Sequence, residues 1–345
     1  LGKITYSNSS GYIVMTRDSD YVQIGGNLYI QNSNYSNNLT AGTIELKGDF
    51  TQKKGYDSNF APSGNHKVIM NGTAKQTISF ESPSSSKFNI LDLTGSAGVT
   101  VNKPSMSVTT LYGIEKLEVP TAEKTLTLIN TKTSLTSDTA FNFGLVLSGG
   151  TLNLSGYSLT VKGDMQTSST IDFNEGKIDV ASDLFVSGGK IDINKGNLTV
   201  GGNVIQSSGV MDIHIGKMEV AGDYRLQTRN IDEEERITYS NSSGYIVMTR
   251  ESDYLKIGGD LYIQNYNYSN NLTSGTIELK GNFTQKKGYD SNFTPSGSHK
   301  VVFTGTAKQT INFESPSNSK FNILDLKESA GVLVNAYTLI ATTLY

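Results

Sequence analysis

The sequence predicts an all-β protein: a parallel β-helix, or solenoid, right-handed by the chirality of parallel crossovers, with about 20–24 residues and three short strands per coil. Three observations predict it. Apolar anchors recur about every twenty residues at Leu152, Ile171, Ile191 and Met211. Each is followed at constant spacing, first by Leu159, Ile178, Leu198 and Met218 and then by Met165, Leu184, Val204 and Tyr224. Around them polar and apolar residues alternate, as in Leu152-Asn153-Leu154 and Ile191-Asp192-Ile193, which is the periodicity of a strand with one buried face. Units of this kind cannot bury their inner faces alone. Stacked at ~4.8 Å they share one apolar column. An antiparallel sandwich also has many short strands but needs no fixed spacing, and a propeller blade would run to ~40–45 residues.

Around this core lies a longer repeat. Residues 4–112 align without a gap on 237–345, a shift of 233 residues, with roughly four positions in five identical. The chain therefore reads as one continuous solenoid over 1–345. A long-coil module at 4–112 comes first, with turns at Gly26, Gly48 and Gly72 and loops "NYSNNLT", "KKGYDSNF" and "ESPSSSKF" expected to leave the column. At 113–148 the glycine punctuation weakens and individual coils are not placed. Regular twenty-residue coils fill 149–228. The stretch 229–244 reads as an inserted loop, and a second long-coil module at 237–345 turns at Gly259, Gly281 and Gly305. In that module Leu255 and Leu261, Ile277 and Phe283, and Val301 and Ala307 repeat the six-residue step. "GYIVMT" places Ile13 and Met15, and again Ile246 and Met248, facing inward. The whole amounts to about fifteen coils, or roughly 70 Å at the strand spacing. A start at Leu1 and a second module that stops in mid-pattern suggest a window of a longer array.

Composition narrows function. A net charge of -3 and a pI near 5.7 argue against a nucleic-acid partner, which would want a basic face. No run approaches the roughly 18 apolar residues of a membrane helix. The absence of Cys removes disulfides and thiolate metal sites, and three His leave little material for zinc or triad chemistry. Asparagine sequons are numerous, as a chain rich in Asn, Ser and Thr produces by chance.

The polar ladders carry the remaining chemical signals. Asp172, Asp192 and Asp212 take one outward position on successive coils, with Asp179 and Glu219 on the next strand. Outer-face carboxylates serve sugar-cleaving β-helices, but outward positions must be polar anyway, and Lys177, Lys190, Lys195 and Lys217 lie near enough to offset the charge. Asp164, Asp183, Asn203 and Asp223 follow Gly or Ser at a turn in every unit and read as caps of turn N–H groups rather than calcium ligands. His214 replaces Asn174 and Asn194 of the neighbouring coils, and His66 and His299 are one residue seen twice beside a turn. No catalytic, metal or cofactor site is assigned. Tyr is abundant, with 18 copies and no Trp. Tyr29, Tyr35, Tyr262, Tyr266 and Tyr268, on or beside "LYIQNSNYSNN" and "LYIQNYNYSNN", are the candidates for stacking on sugar rings, set against ordinary outward packing.

Phrases such as "GGTLNLSGYSLTVKGDM", "GNLTVGGNV" and "SGNHKVIMNGTAKQTISFESPSSSKFNILDL" resemble the β-solenoid repeats of large Gram-positive-type bacterial cell-surface and secreted proteins, and more broadly filamentous-haemagglutinin-like β-helices. The likeness covers nearly the whole chain as a style of repeat, and no functional residue carries over. It implies an extracellular or cell-surface place and a role in display, adhesion or fibre building, not catalysis. The expected partners are other copies, end to end or laterally, or an extracellular polysaccharide. Two alternatives stand beside the shaft: a carbohydrate-binding adhesin using the Tyr-bearing loops, and a polysaccharide lyase or hydrolase.

Overall fold

The computed structural model describes residues 7–32, 38–54, 58–82, 85–103, 105–266, 271–288, 291–315, 319–335 and 338–345. The protein is an all-β parallel β-solenoid of about 14 turns. Its one helical element among the described residues is a 3-10 turn at Ile114–Lys116. Residues 1–137 and 143–152 form one compact unit, and residues 138–142 and 153–345 a second.

In the first unit, strands Tyr21–Ile24, Thr43–Leu46, Lys67–Met70, Phe88–Asp92, Ser105–Tyr112 and Thr125–Ser134 pair in parallel along one face. Leu28–Ile30, Phe50–Gln52, Gln76–Phe80, Val99–Val101 and Leu117–Glu118 build a second face. The register stacks Ile44, Val68, Leu91 and Leu111 in one column and Leu28, Phe50, Ile78 and Val101 in another. Every one of these side chains is buried. Thr125–Ser134 lies within the stretch whose punctuation is weak, yet it pairs regularly with Ser105–Tyr112.

The second unit keeps the predicted anchors on its inner face. Leu159, Ile178, Leu198, Met218, Leu255, Ile277, Val301 and Leu324 stand directly over one another and are at most 2% exposed. On the opposite face Met165, Leu184, Val204, Tyr224, Leu261, Phe283 and Ile311 form the matching column. Burying each such side chain is worth about 1.5–3 kcal/mol, so the columns dominate the stability of both units. Where the spacing predicts two short strands, Leu184–Asp192 and Val204–Asp212 run as single strands that slip register at Val186/Ser187 and Ser187/Lys190. The corner survives inside the strand because Gly189 sits at φ 65°, where a Cβ would stand 2.1 Å from the Ser169 carbonyl oxygen.

The predicted turn caps form a continuous ladder in which each Asx side chain accepts the backbone N–H of the coil above. Asp183 Oδ1 accepts from Asn203 at 2.7 Å, Asn203 Oδ1 from Asp223 at 2.9 Å, and Asp223 Oδ1 from Asp260 at 2.8 Å. Asp260 then accepts from Asn282, and Asn282 from Thr310. The first unit repeats the arrangement with Asn27 and Asp49. The two modules thus exchange Asp and Asn at consecutive rungs, keeping one charge per pair.

One loop of each module is less detached than its sequence suggests. "KKGYDSNF" ends with its last two residues inside the column: Asn59 and Phe60 are buried, with the Phe60 ring 4.8 Å from Phe50. Asn292 and Phe293 repeat this against Gln285 and Phe283. The larger excursion is at 224–241. There Tyr224–Ile231 and Ile237–Asn241 form an antiparallel hairpin, closed at its acidic tip by Arg236 on Asp232. The coil resumes beyond it, so that Tyr224 pairs with Leu261 and Met211 with Ile246.

Candidate functional site

The hairpin covers part of the outer surface of the second unit. Gln166, Phe185, Ile205, Arg225 and Tyr262 take one outward position on five successive rungs of the second unit. Large apolar residues at outward positions need a cover. The hairpin supplies one: its first strand carries Arg229 to 5.8 Å from the Phe185 ring, and its second carries Tyr239 to 4.6 Å from the Arg225 guanidinium. Beneath this roof a groove of about 250 Å³ remains, with Gln166, Phe185 and Ile205 on its floor, Ser187 and Ser207 beside them and Arg229 above.

The two arginines of the hairpin strand differ. Arg225 lies between Tyr239 and Tyr262, the latter only 3.8 Å away, and donates to Asp223 at 2.9 Å. It is fully matched by rings and a carboxylate. Arg229 has its Nε shielded from solvent without an acceptor, and no described carboxylate pairs with it.

The tyrosines singled out for sugar stacking differ in their surroundings. Tyr35 and Tyr268 lie outside the described residues. Tyr29 is 48% exposed in the first unit and Tyr266 50% exposed in the second. Tyr262 is half-buried, covers its ring with Arg225 and donates its hydroxyl to Asp260 at 2.9 Å. Burial first, and then the Asp260 carboxylate, push its phenol pKa up, so it is held as a neutral donor in a structural network.

The acidic face carries one compact cluster among the described residues. Asp192, Asp212 and His214 bring potential metal-ligating atoms within 4.8 Å of one another. The Lys190 ammonium already occupies the space between the carboxylates, 2.9 Å from Asp192 and 2.8 Å from Asp212, and His214 Nδ1 lies 2.8 Å from Asp192. Burial alone would raise the Asp192 pKa, but the bonds from Lys190 and His214 outweigh it and hold the group below the ordinary range. A cation bound there would have to displace Lys190.

His66 and His299 are closed to solvent. His66 Nδ1 lies 2.9 Å from the Ala41 carbonyl oxygen, whereas both ring nitrogens of His299 lack a hydrogen-bond partner. Burial pushes the His299 pKa down to about 4. Neither ring can meet a substrate.

The first coil of each module provides an internal comparison. In the first unit Tyr12, Ile13, Leu28, Tyr29, Leu39 and Phe60 line an open hollow of about 360 Å³. Around the corresponding residues of the second unit, where Leu226 of the preceding coil stands in the wall, only about 20 Å³ remains. Exposure follows: Ile13 is 37% and Val22 40% exposed, against 4% for Ile246 and 0% for Leu255.

No protein-family model, curated protein or solved structure matches this chain.

Proposed function

We propose that this chain is a segment of a long, repetitive, extracellular β-solenoid that serves as a fibre, stalk or adhesin shaft, with coils able to associate end to end. One observation carries the reading: the first coil of the second module, near-identical in sequence to that of the first, stacks on a preceding coil of quite different sequence. In the second unit the strand at Tyr254–Ile257 lies on Lys217–Val220, and Leu261–Ile263 on Tyr224–Leu226, with register kept throughout. Such a coil end is a general acceptor for another coil, because backbone pairing and an apolar column make the fit and individual side chains do not. The role is mechanical. Coils are bonded to their neighbours through backbone pairing and core, and through the Asx ladder where it runs. Electron microscopy of the native material tests the proposal: continuous rods support it, and separate compact particles overturn it.

A further inference from the structure

We infer that the groove roofed by the 224–241 hairpin is a binding site for a carboxylated saccharide, with Arg229 receiving the carboxylate and Phe185 the apolar face of the sugar ring. This site is independent of the shaft reading and uses none of the tyrosines considered above.

Four features carry the inference. First, Arg229 is a cation with an unsatisfied, solvent-shielded Nε and no carboxylate partner among the described residues. A partly desolvated guanidinium is costly without an anion, and its planar fork matches a carboxylate. The nearest acid along the hairpin, Asp232, is held by Arg236 at 2.8 Å and leaves Arg229 unmatched. Second, half-buried Phe185 and buried Ile205 line the groove on adjacent rungs, with the Arg229 guanidinium 5.8 Å from the Phe185 ring. A pyranose offers the complement, C–H groups on its faces and hydroxyls around its rim. Third, the polar residues of the groove suit hydroxyls. Ser187 Oγ donates to the Thr167 carbonyl at 3.4 Å and Ser207 Oγ to the Val186 carbonyl at 3.3 Å, so both oxygens keep acceptor capacity for a ligand's O–H donors. Gln166 adds an amide on the rung below. Fourth, the floor is the face of a sheet whose backbone groups are already paired between rungs. A peptide strand would find no free edge to pair with, which favours a ligand recognised through side chains alone. At about 250 Å³ the groove is smaller than the usual drug-sized pocket and suits one or two sugar rings.

The test uses the full chain and calorimetric titration with a panel of short oligosaccharides containing hexuronic or sialic acids, each beside its neutral methyl ester. At least one acidic form should bind, its ester should bind about tenfold or more weakly, and Arg229→Gln should lose about the same factor. Phe185→Ser, a change on the outer face, should weaken the acid and the ester alike, which separates loss of the ring from loss of the charge. Far-ultraviolet circular dichroism checks that both variants keep the fold. Any of three results overturns the inference: no acidic saccharide binds, ester and acid bind equally, or Arg229→Gln leaves affinity unchanged. An acidic peptide that binds this groove more tightly than every saccharide overturns it as well. Rods or particles in the microscope bear on the shaft alone, so the two proposals fail separately.

Discussion

Mild acid should loosen the coil that holds His299, by an amount the structure sets. The ring is closed to solvent, neither nitrogen has a partner, and burial depresses its pKa from 6.5 to about 4. An unfolded chain therefore takes up this proton more readily than the folded one. The stability tied to a neutral His299 is fully present above pH 6.5 and is lost as pH falls through 4. Each tenfold difference in proton affinity between the two states is worth about 1.36 kcal/mol, so the loss reaches about 3 kcal/mol below pH 4, of which about 2 kcal/mol has gone by pH 5. His66 should behave in the same direction with a smaller loss, because the Ala41 carbonyl bond works against its burial. The perturbation that isolates the effect is His299→Leu, which replaces an unpartnered ring with an apolar group and should cost within about 1 kcal/mol at pH 7. Urea unfolding followed by circular dichroism, with hydrogen exchange at Lys300–Phe303, measures both chains from pH 7 to pH 5. Wild type should lose about 2 kcal/mol more than the variant over that interval. Parallel pH profiles for the two would refute the assignment of the loss to this ring.

Three further substitutions test the packing and the ladder. Phe283→Ala removes a ring that lies 4.8 Å from Phe293, 5.2 Å from Phe313 and 4.9 Å from Phe321, and should destabilise by about 3–5 kcal/mol in urea unfolding. Phe50→Ala should cost the same within about 1 kcal/mol, because Phe60, Phe80 and Phe88 reproduce that cluster at 4.8, 5.2 and 4.7 Å. Asp183→Ala strands the Asn203 N–H it now receives at 2.7 Å and should cost about 1–2 kcal/mol, seen as faster exchange of the Asn203 amide with distant coils unchanged.

How much of the fold is legible in the sequence depends on what periodicity encodes. Spacing and alternation fix which side chains face inward, so Ile178, Leu198, Met218 and Leu255 fall in register where the pattern places them. The ladder of Asp183, Asn203 and Asp223 is legible for the same reason, since one residue type returns at one turn in each unit. Periodicity says nothing about what folds over the outer face. Phe185 and Ile205 stand where the pattern expects a solvated residue, and the signal available is that pair of apolar residues itself. The hairpin above them reads as a loop because Asp232–Glu235 is not a glycine-containing turn, although Ile231 and Ile237 flank it as cross-strand partners. Tyr262 looks free in the sequence because nothing there brings Arg225 onto its ring. Asn59 and Phe60 look like loop because their burial depends on Gln52 and Phe50, which precede them on a strand of the same coil.

The spacing within rods of the native material tests the central claim most directly, that coils stack in parallel through a long repeating shaft. Power spectra of electron micrographs should show a meridional reflection near ~4.8 Å from the coils and an axial repeat of roughly 50 Å, the height of the ten or eleven coils in one 233-residue period. Rods that lack the 4.8 Å reflection along their axis, or compact particles with no axial repeat, would contradict it.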